Sequence, residues 1–110
     1  MSKAETVFQH AVFDDRSVSK VNNFTGHDLT TNTYYFKPGQ SMGYQSTAGG
    51  DQVYVVLQGE GQFYLNNGQE ETIDVESGSI MYIPKGVSFK IVNNQSSDLI
   101  CTGVQHPAHQ

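Results

Sequence analysis

Tryptophan is absent from this chain, cysteine occurs once and proline three times, and only 15% of the 110 residues are charged. A single cysteine, Cys101, excludes an internal disulfide, and such a chain fits a reducing cytoplasm. The basic residues number six (Lys3, Arg16, Lys20, Lys37, Lys85, Lys90), and they are scattered. Against 11 acidic residues they leave a net charge of -5 and a pI near 5.1. That argues against a nucleic-acid partner, which needs clustered lysine and arginine. The longest apolar run, VYVVL (53–57), is far too short to span a bilayer. The opening MSKAETVFQH lacks the apolar core of a signal peptide, so neither a membrane nor an export role is expected.

What the chain does have is glycine, at 11, and aromatics, at 6 Tyr and 6 Phe. Many turns and many ring side chains favour an all-β protein of one domain. Residues 1–16 are ambiguous: Val7, Phe8, Ala11 and Val12 have helical spacing, yet the segment could equally be an arm lying on a sheet. From there the signals are β. VSKVNNF (18–24) alternates weakly, and TNTYYF (31–36) stops at Lys37-Pro38-Gly39. QVYVVL (52–57) closes at Gly59-Glu60-Gly61, and QFYL (62–65) stops at the hairpin signal Asn66-Asn67-Gly68. ETIDV (71–75), SIMYI (79–83), SFKIV (88–92) and DLICTGV (98–104) follow, with glycine, proline or asparagine between them. Seven or eight short strands at this spacing predict an antiparallel sandwich or barrel over residues 17–106, after an arm at 1–16 and before a tail at 107–110.

The turns themselves resemble the paired motifs of small cupins, the jelly-roll β-barrels also described as double-stranded β-helices. The first cupin motif opens and closes on glycine, with His-x-His and a glutamate between. Here Gly39 and Gly59 match, while the histidine places hold Gln45 and Thr47 and the glutamate place holds Gln52. The second motif runs glycine, Pro-x-Gly, histidine, asparagine. Gly78, Pro84, Gly86 and Asn93 match in register, and the histidine place is Phe89. The resemblance implies the fold, and it implies homodimers, for which the arm at 1–16 would supply a contact. It does not choose an activity, since cupins include dioxygenases, isomerases, epimerases and proteins that only bind.

The ligand places offer two amides, a hydroxyl and a phenyl ring where metal-binding cupins offer three imidazoles and a carboxylate. No metal and no other cofactor is therefore expected. If Gln52 points inward as the family's glutamate does, alternation sends Tyr54 and Val56 the same way. Gln45, Thr47 and Phe89 would line the same cavity, with Tyr35 and Tyr44 near its mouth. This predicts a binding site for a small neutral or aromatic molecule, without catalysis, built from Gln45, Thr47, Gln52, Tyr54, Phe89, Tyr35 and Tyr44. The competing readings are an enzyme (a dioxygenase, or an isomerase or epimerase) with a shifted metal or acid–base site, and a dimerisation module whose barrel is plugged by its own side chains. A shifted site would have to draw on His10, His27, His106 or His109. The last two sit in the tail QHPAHQ, which reads as solvated, and Cys101 reads as a small core residue.

Overall fold

The structure is a computed structural model, and it describes residues 4–9, 11–46 and 49–106. Among them are nine strands and no helix: β1 Ser19–Thr25, β2 Thr30–Phe36, β3 Ser41–Gln45, β4 Gln52–Gln58, β5 Glu60–Asn66, β6 Glu70–Glu76, β7 Ile80–Ile83, β8 Ser88–Val92 and β9 Leu99–Gln105. They form a five-stranded sheet in the order β1-β2-β9-β4-β7 and a four-stranded sheet in the order β3-β8-β5-β6, with every pairing antiparallel. No helix of the described residues is long and apolar enough to cross a membrane.

Eight of these strands coincide with the expected runs, and β3 is the addition. SMGYQ carries little to mark it as a strand, and it is held by pairing to β8 across a bulge between Met42 and Gln45. The arm is not helical. It makes a turn at residues 7–9, closed by the Gln9 amide donating to the Thr6 carbonyl at 3.0 Å. It then runs along its own five-stranded sheet, with the Phe13 ring edge-on to Tyr35 at 5.5 Å.

The two sheets face each other across an apolar core in which Phe36, Phe63, Ile83, Ile91 and Leu99 have no exposure. Gly59 shows why the tight turns carry glycine. Its φ is 88°, and a Cβ there would stand 2.2 Å from the Asp98 carbonyl oxygen. That contact lets the β4–β5 turn lie directly on the start of β9.

Asn93 ties the same end of the barrel together. Fully buried, it donates through Nδ2 to the carbonyls of Ser97 at 2.9 Å and Phe36 at 3.3 Å, and its Oδ1 accepts from the Gln95 amide at 3.1 Å. Its backbone joins the β2–β3 turn through Gly39 and Gln40, both at 2.9 Å. Asn93→Ala removes all three side-chain bonds and strands a buried carbonyl, so it is expected to cost about 2–3 kcal/mol. Urea denaturation would measure it, and a loss of a few tenths of a kcal/mol would mean the clamp is dispensable.

Candidate functional site

The alternation along β4 is regular: Gln52, Tyr54 and Val56 are buried, and Val53, Val55 and Leu57 are half-exposed. Gln52 therefore stands at the barrel mouth, with Tyr54 below it. Phe89 enters from β8, where it is paired with Leu65 on one side and Gln45 on the other. Tyr54 and Phe89 meet with ring centroids 5.2 Å apart. The Tyr54 ring also packs against Phe63 at 5.7 Å and Tyr34 at 5.9 Å. It can lie this deep because β9 carries Gly103 beneath it, where any Cβ would come within 2.5 Å of the ring.

Two of the predicted site residues, Tyr54 and Phe89, are thus in ring contact, and a third, Gln52, is buried on the same face of β4 as Tyr54. Gln52, Tyr54 and Phe89 are 7%, 2% and 1% exposed. Beside Gln52, a cavity of about 10 Å³ is lined by Gly49, Gly50, Asp51, Gln105 and His106, room for about one water.

The other predicted residues lie elsewhere. Gln45 is exposed, and its amide donates back to the Gly43 carbonyl at 3.2 Å. Tyr35 faces out of the five-stranded sheet and donates its hydroxyl to the Val7 carbonyl at 2.8 Å. The inward ring of that pair is Tyr34. The sequence could not choose between them, because TNTYYF has two adjacent tyrosines and no clean polar–apolar alternation. Tyr44 lies on the outer face of the four-stranded sheet, where the Lys90 ammonium sits between its ring, at 5.2 Å, and that of Tyr64, at 4.7 Å. Its hydroxyl donates to the Glu70 carboxylate, which raises the Tyr44 pKa. Thr47 lies outside the described residues, as do His10 and His109. His27 is exposed in the β1–β2 turn, and His106 is exposed just after β9.

Among the described residues, three titratable groups lie in the interior, Tyr34, Tyr54 and Cys101. Burial raises the pKa of each. For Tyr54 the shift is large, and the neighbouring Tyr34 adds to it. Burial pushes the Cys101 thiol up to about 12. All three are neutral near pH 7 and are poor proton acceptors there.

The fit of these residues to the metal that the cupin fold often carries is poor. Of the residues that the motif resemblance sets at ligand places, Phe89 is a buried phenyl ring, Gln45 is exposed with its amide on the Gly43 carbonyl, and Gln52 supplies an amide where a carboxylate would offset charge. Among the described residues, no three histidine, cysteine or acidic side chains come together as a metal site would require.

A family model for the cupin domain matches residues 32–104, well over half of the sequence, and the chain belongs to the cupin family. Its fold is similar to that of TT1209 from Thermus thermophilus, with TM-score 0.87 and 21% identity over 96% of this chain and 98% of that one. It is also similar to an uncharacterized conserved protein with a double-stranded β-helix domain from Klebsiella pneumoniae, with TM-score 0.90 and 17% identity over 99% and 93% of the two chains. An RmlC-like cupin protein from Desulfovibrio desulfuricans aligns with TM-score 0.78 and 20% identity, over 94% of this chain and 96% of that one. At these identities the likeness is one of fold. No curated protein matches the sequence significantly.

Proposed function

We propose that this cupin works without a metal and without catalysis of its own, as a closed barrel that acts through its surface. One observation carries the reading: the place where the family builds its metal site is packed with Tyr54 and Phe89, at 2% and 1% exposure. The neutral, buried tyrosines likewise weigh against an isomerase or epimerase. The single buried thiol suits a reducing cytoplasm, where we place the protein.

Elemental mass spectrometry on untagged protein purified without chelators tests this directly. The expected result is well under one equivalent of any transition metal. Close to one equivalent of iron, manganese, nickel, copper or zinc would overturn it, and would point to a site rebuilt around the histidines.

A second reading is supported by Gln52. A buried amide at the edge of an aromatic wall is the makeup of a site for a small neutral or aromatic molecule. It requires the Tyr54 ring to leave Gly103 and open the interior. A rise in the melting temperature of the unaltered protein with such compounds would favour this reading.

A further inference from the structure

The hairpin that joins β5 to β6 carries a reactive pair of residues. Strand pairing ends where Asn66 meets Glu70, so Asn67, Gly68 and Gln69 form the turn, and all three are exposed. Of the asparagines in the chain, Asn67 is the one followed by glycine. An asparagine side chain holds an amide carbon within reach of the next residue's backbone nitrogen, and ring closure between them gives a five-membered imide. A side chain on that next residue crowds the approach, and glycine has none. The space beside Gly68 is open as well, since a Cβ built there would meet nothing within 4 Å. Its φ of 108° is one that other residues rarely adopt, so the turn itself holds glycine in this place. A surface hollow of about 380 Å³, lined by Asn67, Gln69, Glu70 and Glu71, gives water access to the same point.

The turn also contains a restraint on this reaction. The Gly68 amide donates to Oδ1 of Asn66 at 2.9 Å, the local turn in which an asparagine side chain bonds the backbone two residues on. The nitrogen that would attack Asn67 therefore has its proton engaged by residue 66.

We propose that Asn67 is a site of slow covalent self-modification, deamidation through a cyclic imide, and that the Asn66 side chain sets its rate. Hydroxide from the solvent removes the Gly68 amide proton. The nitrogen attacks Cγ of Asn67, the N–Cγ bond forms and the Cγ–Nδ2 bond breaks. The amide nitrogen takes a proton from water and leaves as ammonia, which regenerates the hydroxide. Water then opens the imide. Cleavage of the new N–Cγ bond leaves an aspartate, and cleavage between that nitrogen and the backbone carbonyl carbon of residue 67 leaves an isoaspartate. Nothing is oxidised or reduced. Either product adds one negative charge, from -5 to -6 for the chain, in a turn that already carries Glu70 and Glu71. The isoaspartate also routes the main chain through the former side chain. That lengthens the link between the paired Asn66 and Glu70 by a methylene, and it loosens the end of the hairpin where the Glu70 carboxylate accepts from the Tyr44 hydroxyl. The outer face of the four-stranded sheet thus acquires a mark of the protein's age.

Incubation of the full, untagged chain at neutral pH for several weeks, followed by proteolytic mapping and mass spectrometry, tests this. Conversion is expected at Asn67 ahead of every other asparagine, with ammonia released in equal amount and isoaspartate detected by enzymatic methylation. Asn67→Gln should be inert at this position, because its ring closure needs a six-membered imide. Asn66→Ala removes the acceptor from the Gly68 amide and should speed conversion by roughly 2- to 10-fold, the rate equivalent of one ordinary hydrogen bond. Asn66→Asp keeps an acceptor oxygen and should react no faster than the unaltered chain. Asn66 is exposed, so both variants should keep the wild-type circular dichroism and melting temperature. An Asn67 no more reactive than the other asparagines overturns the proposal. An Asn66→Ala variant that converts at the unaltered rate overturns the role given to Asn66. The reaction is read at one turn residue and the metal-free reading by metal content, so either can fail alone.

Discussion

Replacing Tyr54 with alanine should destabilise the protein by about 3–5 kcal/mol, the usual cost of deleting a buried ring from a packed core. The ring is 2% exposed and contacts three others, Tyr34, Phe63 and Phe89, all held on rigid strands. Those strands cannot collapse into the gap, because β4 is fixed by pairing to β7 and β9. The vacancy should stay open, be mostly apolar and match a phenol in shape. Phenol or p-cresol should therefore raise the melting temperature of Tyr54→Ala while leaving that of the wild type unchanged. A wild type that also responds would mean that the interior opens unaided, and the small-molecule reading would gain over the closed barrel. Gly103 supplies a second check. Gly103→Ala puts a methyl within 2.5 Å of the Tyr54 ring, at a cost of about 1–3 kcal/mol by overpacking. In the Tyr54→Ala background the same change should be close to neutral. Simple additivity of the two substitutions would show that the ring and the glycine do not meet.

The second large effect is expected in alkali. Burial lifts the Cys101 thiol from its ordinary 9.0 to about 12. The unfolded chain loses this proton near pH 9, while the folded chain holds it until near pH 12. Between those limits the unfolded state binds fewer protons, so stability falls as pH rises. It is fully present below pH 9. A gap of three pH units amounts to about 4 kcal/mol by pH 12, with about two thirds of it lost by pH 11. Tyr54 and Tyr34, both shifted upward by burial, add to the loss once unfolded tyrosine ionises near 10.0. Urea denaturation at about pH 8 and about pH 11 would measure the difference. Cys101→Ala should remove the part that begins near pH 9 and leave the tyrosine part. Equal stability at both pH values would mean that Cys101 is not enclosed as the fold requires.

Much of the fold was legible because turn chemistry is local. Asn67-Gly68, Pro84-Lys85-Gly86 and Gly59-Glu60-Gly61 each demand a turn, and the β-branched and aromatic runs between them have little alternative to strands. Strand β3 was not legible, because SMGYQ owes its conformation to β8 rather than to its own residues. The arm was ambiguous for a related reason. The apolar spacing of Val7, Phe8 and Val12 suits a helix, but the described residues follow the sheet beneath them, where Tyr35 and Phe13 meet.

The candidate site divided in the same way. The inward course of Gln52 and Tyr54 followed from the two-residue period of a strand. Tyr44 and Gln45 could not be placed, because the bulge after Met42 changes the facing of everything beyond it. Nor could the sequence show that Gly103, nearly fifty positions from Tyr54 along the chain, lies under its ring.

By itself, then, the sequence determined that this protein is an all-β cupin barrel, and its motif spacing sets Gln45, Thr47, Gln52 and Phe89 against the places where the family's motifs carry metal ligands. Turn residues and side-chain chemistry act where they stand in the chain, so both conclusions can be read locally. Only the tertiary structure decided that Tyr54 and Phe89 pack together in the interior and that the outward rows of β9, β4 and β7 are uncharged. Both depend on which strands lie side by side and in what register, and pairings such as Val53 with Tyr82 and Val104 are set by contacts between residues far apart in sequence.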